Sequence, residues 1–532
     1  MALDRADKSV FSIDDRRDRF GPCNRQEMSL AFSGNTPRAH GSLQQGGGGA
    51  LTRCAQRAVV EVLRLTEGGF MNTMTAMRRL GQWVLLGTLA TFISAAQGQT
   101  LAWEQTKYFQ YNIHNVVVAP GVTGLWNVKV IFSVTNPPAG GIHWDIKKAP
   151  PFQTAPANLT LDIGWGVKEL TNTGSTSGAA LKPTVGAALG AGAALPVQVR
   201  GLQSSTVTAP KACNDASDCP GLTSDLLFNS YWVSKEVTPV PATVTTGRVA
   251  IEGRLVCNDT DLSPSLGCPA APPYPNIPVR SATADFAFAT SNAAMIANQR
   301  RQIVDIAKCK GCHDGNKHGD TVVPRLSLHG ANRNENLDLC VVCHNPNQTD
   351  VPYRVASPTD PRIGGAETPI AFTTMVHSIH AGGFRKTPYV VIGRDSSVND
   401  FSDVRFPAEL RKSCLKCHVV DAKGKGSFEL PLQSTVLGTT VDTKSAYQAP
   451  GGSPERSIDV NPANDLKITP IAAACSSCHD NSEVRSHMIR TGGASFGTTQ
   501  DKIGTTVKEK CANCHGPGKG KDVRKVHELG SS

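Results

Sequence analysis

The distribution of apolar and polar positions separates a central stretch of the chain from its C-terminal region. Between residues 101 and 298, short runs rich in Val, Ile, Thr and aromatic residues alternate with Pro and Gly, which is typical of β-strands joined by turns. The clearest runs cover residues 111–119, 126–135, 159–165, 247–256 and 282–289. Their even spacing predicts an all-β domain over residues 99–298, either a small Greek-key sandwich or a split barrel.

Two further patterns lie in or beside this stretch. Residues 171–194 are rich in Gly, Ala, Ser and Thr, which indicates a loop. Residues 291–308 predict a helix that leads into the next region. The apolar positions that fit one packed face of this helix are Ala294, Ile296, Ile303, Val304 and Ile306.

Residues 71–98 have the three parts of a secretory signal peptide: basic residues at Arg78 and Arg79, an apolar run over 83–93, and the small residues Ser94, Ala95 and Ala96. The apolar run is too short to span a membrane. Residues 1–70, which are Gly-rich and of mixed charge, are interpreted as a non-native upstream start or a disordered extension. No cysteine follows the cleavage region until Cys213, so no lipid-anchor site is expected. No transmembrane segment is expected either.

The region from residue 299 to 532 contains one motif five times. With 16 Cys and 14 His in 532 residues, random placement would give roughly 0.01 copies of Cys-x-x-Cys-His. In this motif both thiols bind a haem covalently and the adjoining imidazole binds its iron, whereas zinc and redox Cys-x-x-Cys sites need no following His. The motifs therefore predict five covalent haem c groups. The motif cysteines and their proximal histidines are Cys309, Cys312 and His313; Cys340, Cys343 and His344; Cys414, Cys417 and His418; Cys475, Cys478 and His479; and Cys511, Cys514 and His515.

The number of remaining histidines bears on the second axial ligand. A second imidazole makes a closed electron carrier, whereas an open position makes a catalyst or gas binder. Five ligands are needed and the region has six further histidines: His318, His329, His377, His380, His487 and His527. His318 lies in a solvated turn close to His313, and we interpret it as the surplus one. His377 and His380 would leave the same face of a helix. Met375 and Met488 are alternative ligands that this count makes unnecessary.

Five haems in the 224 residues from Cys309 to Ser532 leave about 45 residues for each. Because so little polypeptide is available for a core, the porphyrins must supply most of the buried apolar surface. We therefore expect a mainly α or irregular pentahaem domain over residues 299–532, with short helices and loops around the haems. No residue is assigned an acid–base or nucleophilic role.

Four cysteines lie between residues 101 and 298, namely Cys213, Cys219, Cys257 and Cys268, and an exported chain would oxidise them. Spacing favours the disulfides Cys213–Cys219 and Cys257–Cys268, although three connectivities are possible. Asn214, Asp215 and Asp218 are a weak candidate for calcium, and a solvated acidic turn is the stronger interpretation.

The formal charge of +10 does not indicate a nucleic-acid partner. Residues 1–98 hold 12 Lys and Arg against 8 Asp and Glu, so the remainder carries +6. The ten propionates of five haems would bring this to about −4. A cluster of Lys519, Lys521, Arg524 and Lys525 could dock an acidic redox partner or form a solvated face.

Several longer stretches carry a family resemblance. They are Leu326-Ser-Leu-His-Gly-Ala-Asn-Arg333, Cys340-Val-Val-Cys-His-Asn-Pro346, Met375-Val-His-Ser-Ile-His-Ala-Gly382, Val404-Arg-Phe-Pro407, Cys475-Ser-Ser-Cys-His-Asp480 with His487-Met488, and Cys511-Ala-Asn-Cys-His-Gly516 with His527. From about residue 298 onward the chain resembles the multihaem c-type cytochromes of the OmcA/MtrC type, which are outer-membrane or extracellular electron conduits of metal-respiring bacteria.

The resemblance implies a pentahaem domain with bis-histidine haems, preceded by a β-barrel domain, and it favours His329 over His318 as a distal ligand. The distal set is then His329, His377, His380, His487 and His527. Typical members carry ten haems in two such halves and are often lipid-anchored, whereas this chain has one half. Periplasmic, outer-membrane-associated and extracellular locations therefore stay open.

The main functional hypothesis is an exported cytochrome that carries electrons between redox proteins and an extracellular or periplasmic acceptor, with metal oxide or flavin as candidate acceptors. One alternative is a multihaem oxidoreductase of the nitrite or hydroxylamine type with one open haem. Another gives residues 99–298 a binding role toward a mineral, flavin or porin.

Overall fold

The computed structural model describes residues 101–529, apart from 123–124, 138–140, 167–195, 205–209, 238–244, 263–264, 299, 319–320, 355–359, 364–365, 394–395, 433–435, 437, 443–445, 449–454, 458–464, 500–501 and 504–507. The predicted extension, the signal peptide and the loop at 171–194 lie outside the described residues. Residues from Gly98 to Ser532 form one compact unit. Within the described part, no helix has both the length and the apolar character needed to cross a membrane.

The first sheet of residues 101–298, here called the β region, has five antiparallel strands. They are β1 (Gln110–Pro120), β2 (Trp126–Asn136), β3 (Ile142–His143), β6 (Lys211–Ala212) and β7 (Ser230–Val237). Strands β1, β2, β7 and β6 are neighbours in that order, and β3 pairs with β2. A register shift between Ile113 and Asn115 marks a bulge in β1.

The second sheet has six antiparallel strands: β4 (Asn158–Gly166), β5 (Val197–Arg200), β8 (Thr246–Val256), β9 (Asn276–Ile277), β10 (Ala282–Ala287) and β11 (Met295–Ile296). Their order is β11, β10, β8, β4 and β5, with β9 on β8. Two short helices, α1 (Pro150–Gln153) and α2 (Ser224–Leu227), and a 3-10 turn at Glu104–Tyr108 complete the region. The all-β prediction is confirmed.

The two sheets share one apolar core and are joined along one edge. Val130, Phe132, Leu161, Trp165 and Ile251 are buried in this core. At the joined edge, the Val118 and Ser291 backbones exchange two hydrogen bonds of 2.9 Å, and Ala294 N donates to Val116 O. The backbone of β1 is therefore hydrogen-bonded along this edge to residues 291–294.

The same edge shows why the predicted helix over residues 291–308 is wrong. Residues 291–296 extend the sheet, and a helix forms only at α3 (Ile306–Lys310). The apolar side chains of Ala294 and Ile296 fit a strand as well as a helix face, and pairing with β1 and β10 decides between them.

Residues 299–529, here called the motif region, combine short helices with very short strands. The helices are α3, α4 (Leu337–Cys343), α5 (Phe372–His380), α6 (Pro470–Ser476), α7 (Ser482–Arg490), α8 (Ala512–His515) and α9 (Val523–Val526), with 3-10 turns at Val351–Tyr353, Gly382–Phe384, Leu410–Lys412 and Cys414–Lys416. The strands are β12 (Lys317–His318), β13 (Thr321–Val322), β14 (Ser327–Leu328), β15 (Arg333–Asn334), β16 (Val390–Ile392), β17 (Val398–Asp400), β18 (Thr439–Asp442), β19 (Ala446–Gln448), β20 (Glu455–Ser457), β21 (Leu466–Ile468) and β22 (Thr498–Thr499). The expected mainly α domain is not supported, because the described part of the chain is mostly sheet and its helices are few and short.

The motif region packs on the second sheet through strand β8. Val249 and Ile251 of β8 point into the core, whereas Arg248 and Glu252 alternate with them and are buried against the motif region. Arg248 pairs with Asp285 and with Asp338 of α4. These buried charges occur in pairs, as desolvated ions must.

Candidate haem-binding sites

All five Cys-x-x-Cys-His motifs adopt the same local turn. In each motif the histidine backbone N–H donates to the carbonyl of the first cysteine, at 2.8 to 2.9 Å. One helical turn therefore brings both cysteines and the histidine together. None of the ten motif cysteines forms a disulfide. Each turn presents two free thiols beside one imidazole, which is the arrangement that covalent haem attachment needs.

Each motif histidine faces one other histidine across a similar gap. The distance between ring centroids is 6.1 Å for His313 and His380, 6.0 Å for His329 and His344, and 6.0 Å for His377 and His418. It is 6.0 Å for His479 and His527, and 6.3 Å for His487 and His515. The structure thus places all ten predicted axial residues in five pairs, and each pair joins one proximal and one distal histidine.

The spacing of these pairs fits an iron atom between the rings. A metal–imidazole bond of about 2 Å on either side puts two ring centroids about 6 Å apart. The ring planes differ in their mutual angle. They lie at 25° and 34° in the pairs that contain His418 and His344, and at 84°, 67° and 78° in those that contain His313, His479 and His515.

Hydrogen bonds fix the orientation of several imidazoles. The Nδ1 atoms of His313, His344 and His515 lie 2.9 to 3.0 Å from the backbone carbonyls of Pro324, Ile370 and Lys521. A carbonyl only accepts, so Nδ1 carries the proton and Nε2 is left free to bind a metal. The Nδ1 atoms of His380 and His527 contact the carbonyls of Val376 and Arg411 in the same way.

His418 uses a side chain for the same purpose. Its Nδ1 lies 2.9 Å from Ser427 Oγ. The Ser427 hydroxyl donates to the Ile303 carbonyl, with an Oγ···O distance of 2.5 Å, so Oγ accepts the His418 proton. Metal-binding histidines commonly donate their second ring N–H in this way, which raises the basicity of the ligand.

Burial keeps these rings uncharged. It lowers the pKa of His344, His377 and His418 to about 4 and that of His329 to about 3. A metal ligand must offer an unprotonated nitrogen, so neutral imidazoles at neutral pH suit iron binding.

Helix α5 serves two pairs. His377 faces His418 and His380 faces His313, as expected for residues three apart on one helix face. Gly382 follows this helix where the chain passes under Phe401: a Cβ at Gly382 would lie 1.9 Å from the Phe401 carbonyl oxygen. Glycine is therefore required for this close approach.

The hairpin of β14 and β15 carries His329 in its turn. His329 has a φ of 53°, in the left-handed region that ordinary residues rarely adopt. The β region holds the turn in place: Arg254 Nη1 donates to Gly330 O and Gly253 N to Asn332 O, both at 2.8 Å. Arg333 of β15 also forms a two-pronged ion pair with buried Glu252. The β region thus positions His329, which faces His344 of the second motif.

The motifs are close neighbours in space. The Cys309 and Cys417 thiols lie beside each other, which places the first motif next to the third. Cys478 lies near Cys414, and Cys475 near Cys511, which connects the third motif to the fourth and the fourth to the fifth. The second motif reaches the start of α5, where Phe372 N donates to His344 O.

The other candidate residues have different partners. His318 Nε2 lies 3.0 Å from Asp314 in its own hairpin. Met488 is buried in an apolar cluster with Ala472 and Ala494. Met375 lies on α5 and is not among the paired groups.

The four cysteines of the β region and the candidate calcium turn lie away from the motifs in sequence. The structure contains the disulfides Cys213–Cys219 and Cys257–Cys268, with Cα–Cα distances of 5.6 and 5.3 Å. Carboxylates of the turn bond within it, Asp215 to Ser217 and Asp218 to Asn214.

The residues that support the pairs have no sequence signal. Most acceptors of the Nδ1 protons are backbone carbonyls, which any residue supplies, and Ser427 is a single serine. Glu252 and Arg333 are 81 positions apart. Charged residues within predicted strands, such as Arg248 and Glu252, were the one pattern that could have indicated a second buried face.

Free Cys-x-x-Cys-His turns with a second histidine opposite each proximal one define the class of multihaem c-type cytochromes. Residues 301–528 match the family described as outer membrane cytochrome MtrC/MtrF-like, domains II/IV. Over these residues the chain is similar to the OmcA/MtrC type of multihaem cytochromes.

Individual proteins are less similar to the chain than this family is. No curated protein matches the chain. Among solved structures, the crystal structure of the outer membrane decaheme cytochrome OmcA is similar, with 14% sequence identity and a TM-score of 0.43. The match covers 79% of this chain and 49% of OmcA, so the chain spans about half the length of that protein.

Proposed function

We propose that this protein is a pentahaem cytochrome c that transports electrons through five bis-histidine haems. The observation that carries the proposal is the set of five histidine pairs with centroid distances of 6.0 to 6.3 Å. When bound, each haem supplies an iron that accepts and releases one electron. The pairs of side chains would hold each haem iron from both sides, so no position on the iron would be left for a substrate.

The contacts between motifs support a continuous route. The first, third, fourth and fifth motifs follow one another through neighbouring cysteines, and the second motif joins at α5. We infer a linear path with one branch, in which the branch points toward the β region. Attachment turns this close keep the cofactors close as well, and fast electron transfer needs short distances.

The OmcA/MtrC type suggests where the electrons go. We propose an exported protein, with residues 71–98 as its signal peptide, that is outer-membrane-associated, extracellular or periplasmic. Its partners are other redox cytochromes, and metal oxide or flavin are candidate final acceptors. Residues 99–298 form one proposed domain and 299–532 the other.

Intact-mass measurement and carbon monoxide binding test this proposal together. The mature protein should carry five covalent haems, and carbon monoxide added to the fully reduced protein should leave the Soret band unchanged, because both axial positions of every iron are occupied. Fewer haems would refute the count. Binding of about one carbon monoxide per protein would instead favour an oxidoreductase with one open haem.

A further inference from the structure

The fifth motif is the most accessible of the five. Cys514 is exposed, whereas the nine other motif cysteines are partly buried. His487, the partner of His515, lies on the exposed face of α7. Ile489, two residues further along this helix, is 45% exposed although it is large and apolar. An electron carrier exchanges electrons with a protein where its cofactor is nearest the surface, so this end of the motif region is the natural contact site.

Exposed lysines surround this motif on both sides. Five lysines of the segment are exposed: Lys508, Lys510, Lys519, Lys521 and Lys525. Backbone contacts hold them against the motif. Lys521 N donates to Cys514 O, Lys521 O accepts from His515 Nδ1, and Lys510 N donates to Gly492 O just beyond α7. We call these five residues the lysine ring.

The acidic residues of the same segment do not neutralise the lysine ring. Glu509 accepts hydrogen bonds from the Ile471 and Ala472 backbones at the start of α6. Asp522 caps α9 through Arg524 N and binds Gly518 N. Glu528 pairs with Arg411 and Lys412. Among the described residues, no carboxylate forms an ion pair with a lysine of the ring.

Other charged groups nearby change the net charge of this surface little. Arg524 belongs to the same part of the sequence but is bound to Glu429, so it does not add to the ring. On α7, exposed Arg490 and exposed Glu483 offset each other. The two propionates of a fifth haem would neutralise two of the five positive charges. A net positive surface with Ile489 at its side therefore remains.

We propose that the lysine ring is the docking surface for a redox protein with an acidic face around its own cofactor, and that electrons pass between that protein and the fifth haem. The inference rests on the proposed function and adds the partner's charge and its point of contact. An exposed apolar residue beside complementary charges is typical of transient protein contacts, in which the charges govern the association rate.

Stopped-flow reduction tests the proposal. The holoprotein is mixed with a reduced small acidic [2Fe–2S] ferredoxin as donor, and the Soret band reports the second-order rate constant. We expect the rate constant to fall at least about ten-fold at low ionic strength in the variant Lys508→Glu with Lys519→Glu, because charge steering is lost. High salt should bring variant and wild type together.

The matched control is Lys107→Glu with Lys235→Glu, two exposed lysines of the β region that give the same change in net charge. The control should stay within about two-fold of wild type. Equal slowing in both variants, or none in the ring variant, would overturn the docking surface. It would also be overturned if vesicles of anionic phosphatidylglycerol bound the ring and displaced the ferredoxin, because a membrane would then be the partner.

The two proposals fail in different ways. Haem content and reduction by dithionite, a small donor that needs no docking surface, are measured on every variant. Five reducible haems with an unchanged ferredoxin rate constant refute only the docking surface. Fewer than five haems in the wild type refute the proposed function, whatever the ferredoxin result.

Discussion

The ion pair between Arg333 and Glu252 links the hairpin that carries His329 to the β region. Replacing Arg333 by Ala tests how much this ion pair stabilises the folded protein. Arg333 is 24% exposed and Glu252 is 4% exposed. The arginine holds both carboxylate oxygens, with Nη2 at 2.9 Å from Oε1. Truncation would leave a buried carboxylate without a partner, which costs about 3–5 kcal/mol in fully buried pairs. Because Arg333 is partly exposed, water can reach the site, and we expect a loss of about 2–4 kcal/mol.

The measurement is the free energy of unfolding of the holoprotein from guanidinium chloride titration followed by circular dichroism. The control is Arg411→Ala, which removes surface ion pairs with Glu409 and Glu528; the three side chains are 53%, 52% and 49% exposed. This control should lose much less stability than Arg333→Ala, because water screens an exposed ion pair. Adding Glu252→Gln to Arg333→Ala should restore most of the loss, because no buried charge remains.

An effect of Arg333→Ala equal to that of Arg411→Ala would refute the reasoning, since it would mean that Glu252 is not desolvated. A loss that Glu252→Gln fails to restore would do so as well, since packing rather than charge would then explain it.

Two further predictions concern buried groups. Burial and the neighbouring Glu252 raise the pKa of Asp162 to about 7 from its ordinary 3.8. The folded state therefore holds this proton more tightly than the unfolded state, so stability should fall as pH rises from about 4 to about 7. Asp162→Asn should flatten this dependence in unfolding titrations across that range, and an unchanged slope would contradict the assignment. Separately, His380→Ala should open one of five irons and bind about one carbon monoxide per reduced protein, because it removes one ring of the pair with His313. His318→Ala, which removes a histidine bonded to Asp314, should bind none; binding to both variants would show that the pairs do not hold the iron.

The sequence was most informative where side-chain chemistry decides the structure. The Cys-x-x-Cys-His spacing predicted each turn. The count of spare histidines, together with the solvated turn around His318 and the family resemblance, predicted the histidines that face them. Strands such as β2 and β8 were predictable because they are rich in Val and Ile, which favour β-strands. The i, i+3 spacing of His377 and His380 predicted that both leave one helix face, and in the structure both lie on α5 and face different motif histidines.

The sequence was least informative where the structure depends on backbone pairing between segments. Residues 291–296 fit a helix face, but pairing with Val116 and Val118 makes them extend the sheet. Which distal histidine faces which motif depends on contacts between segments far apart in sequence, such as His479 and His527. The expectation of a mainly α or irregular motif region came from the small number of residues available per haem, and that number does not predict the two-stranded hairpins such as β14 with β15.

The central claim is that the five histidine pairs each bind one haem iron. Low-temperature electron paramagnetic resonance of the oxidised protein, integrated against its haem content, tests it most directly. We expect five low-spin irons and no high-spin signal. Because the mutual angle of the ligand planes sets the splitting of the iron orbitals, the pairs at 25° and 34° should give two rhombic signals and those at 67°, 78° and 84° three strongly anisotropic ones. A high-spin signal of one iron per protein, or fewer than five low-spin irons, would contradict the account.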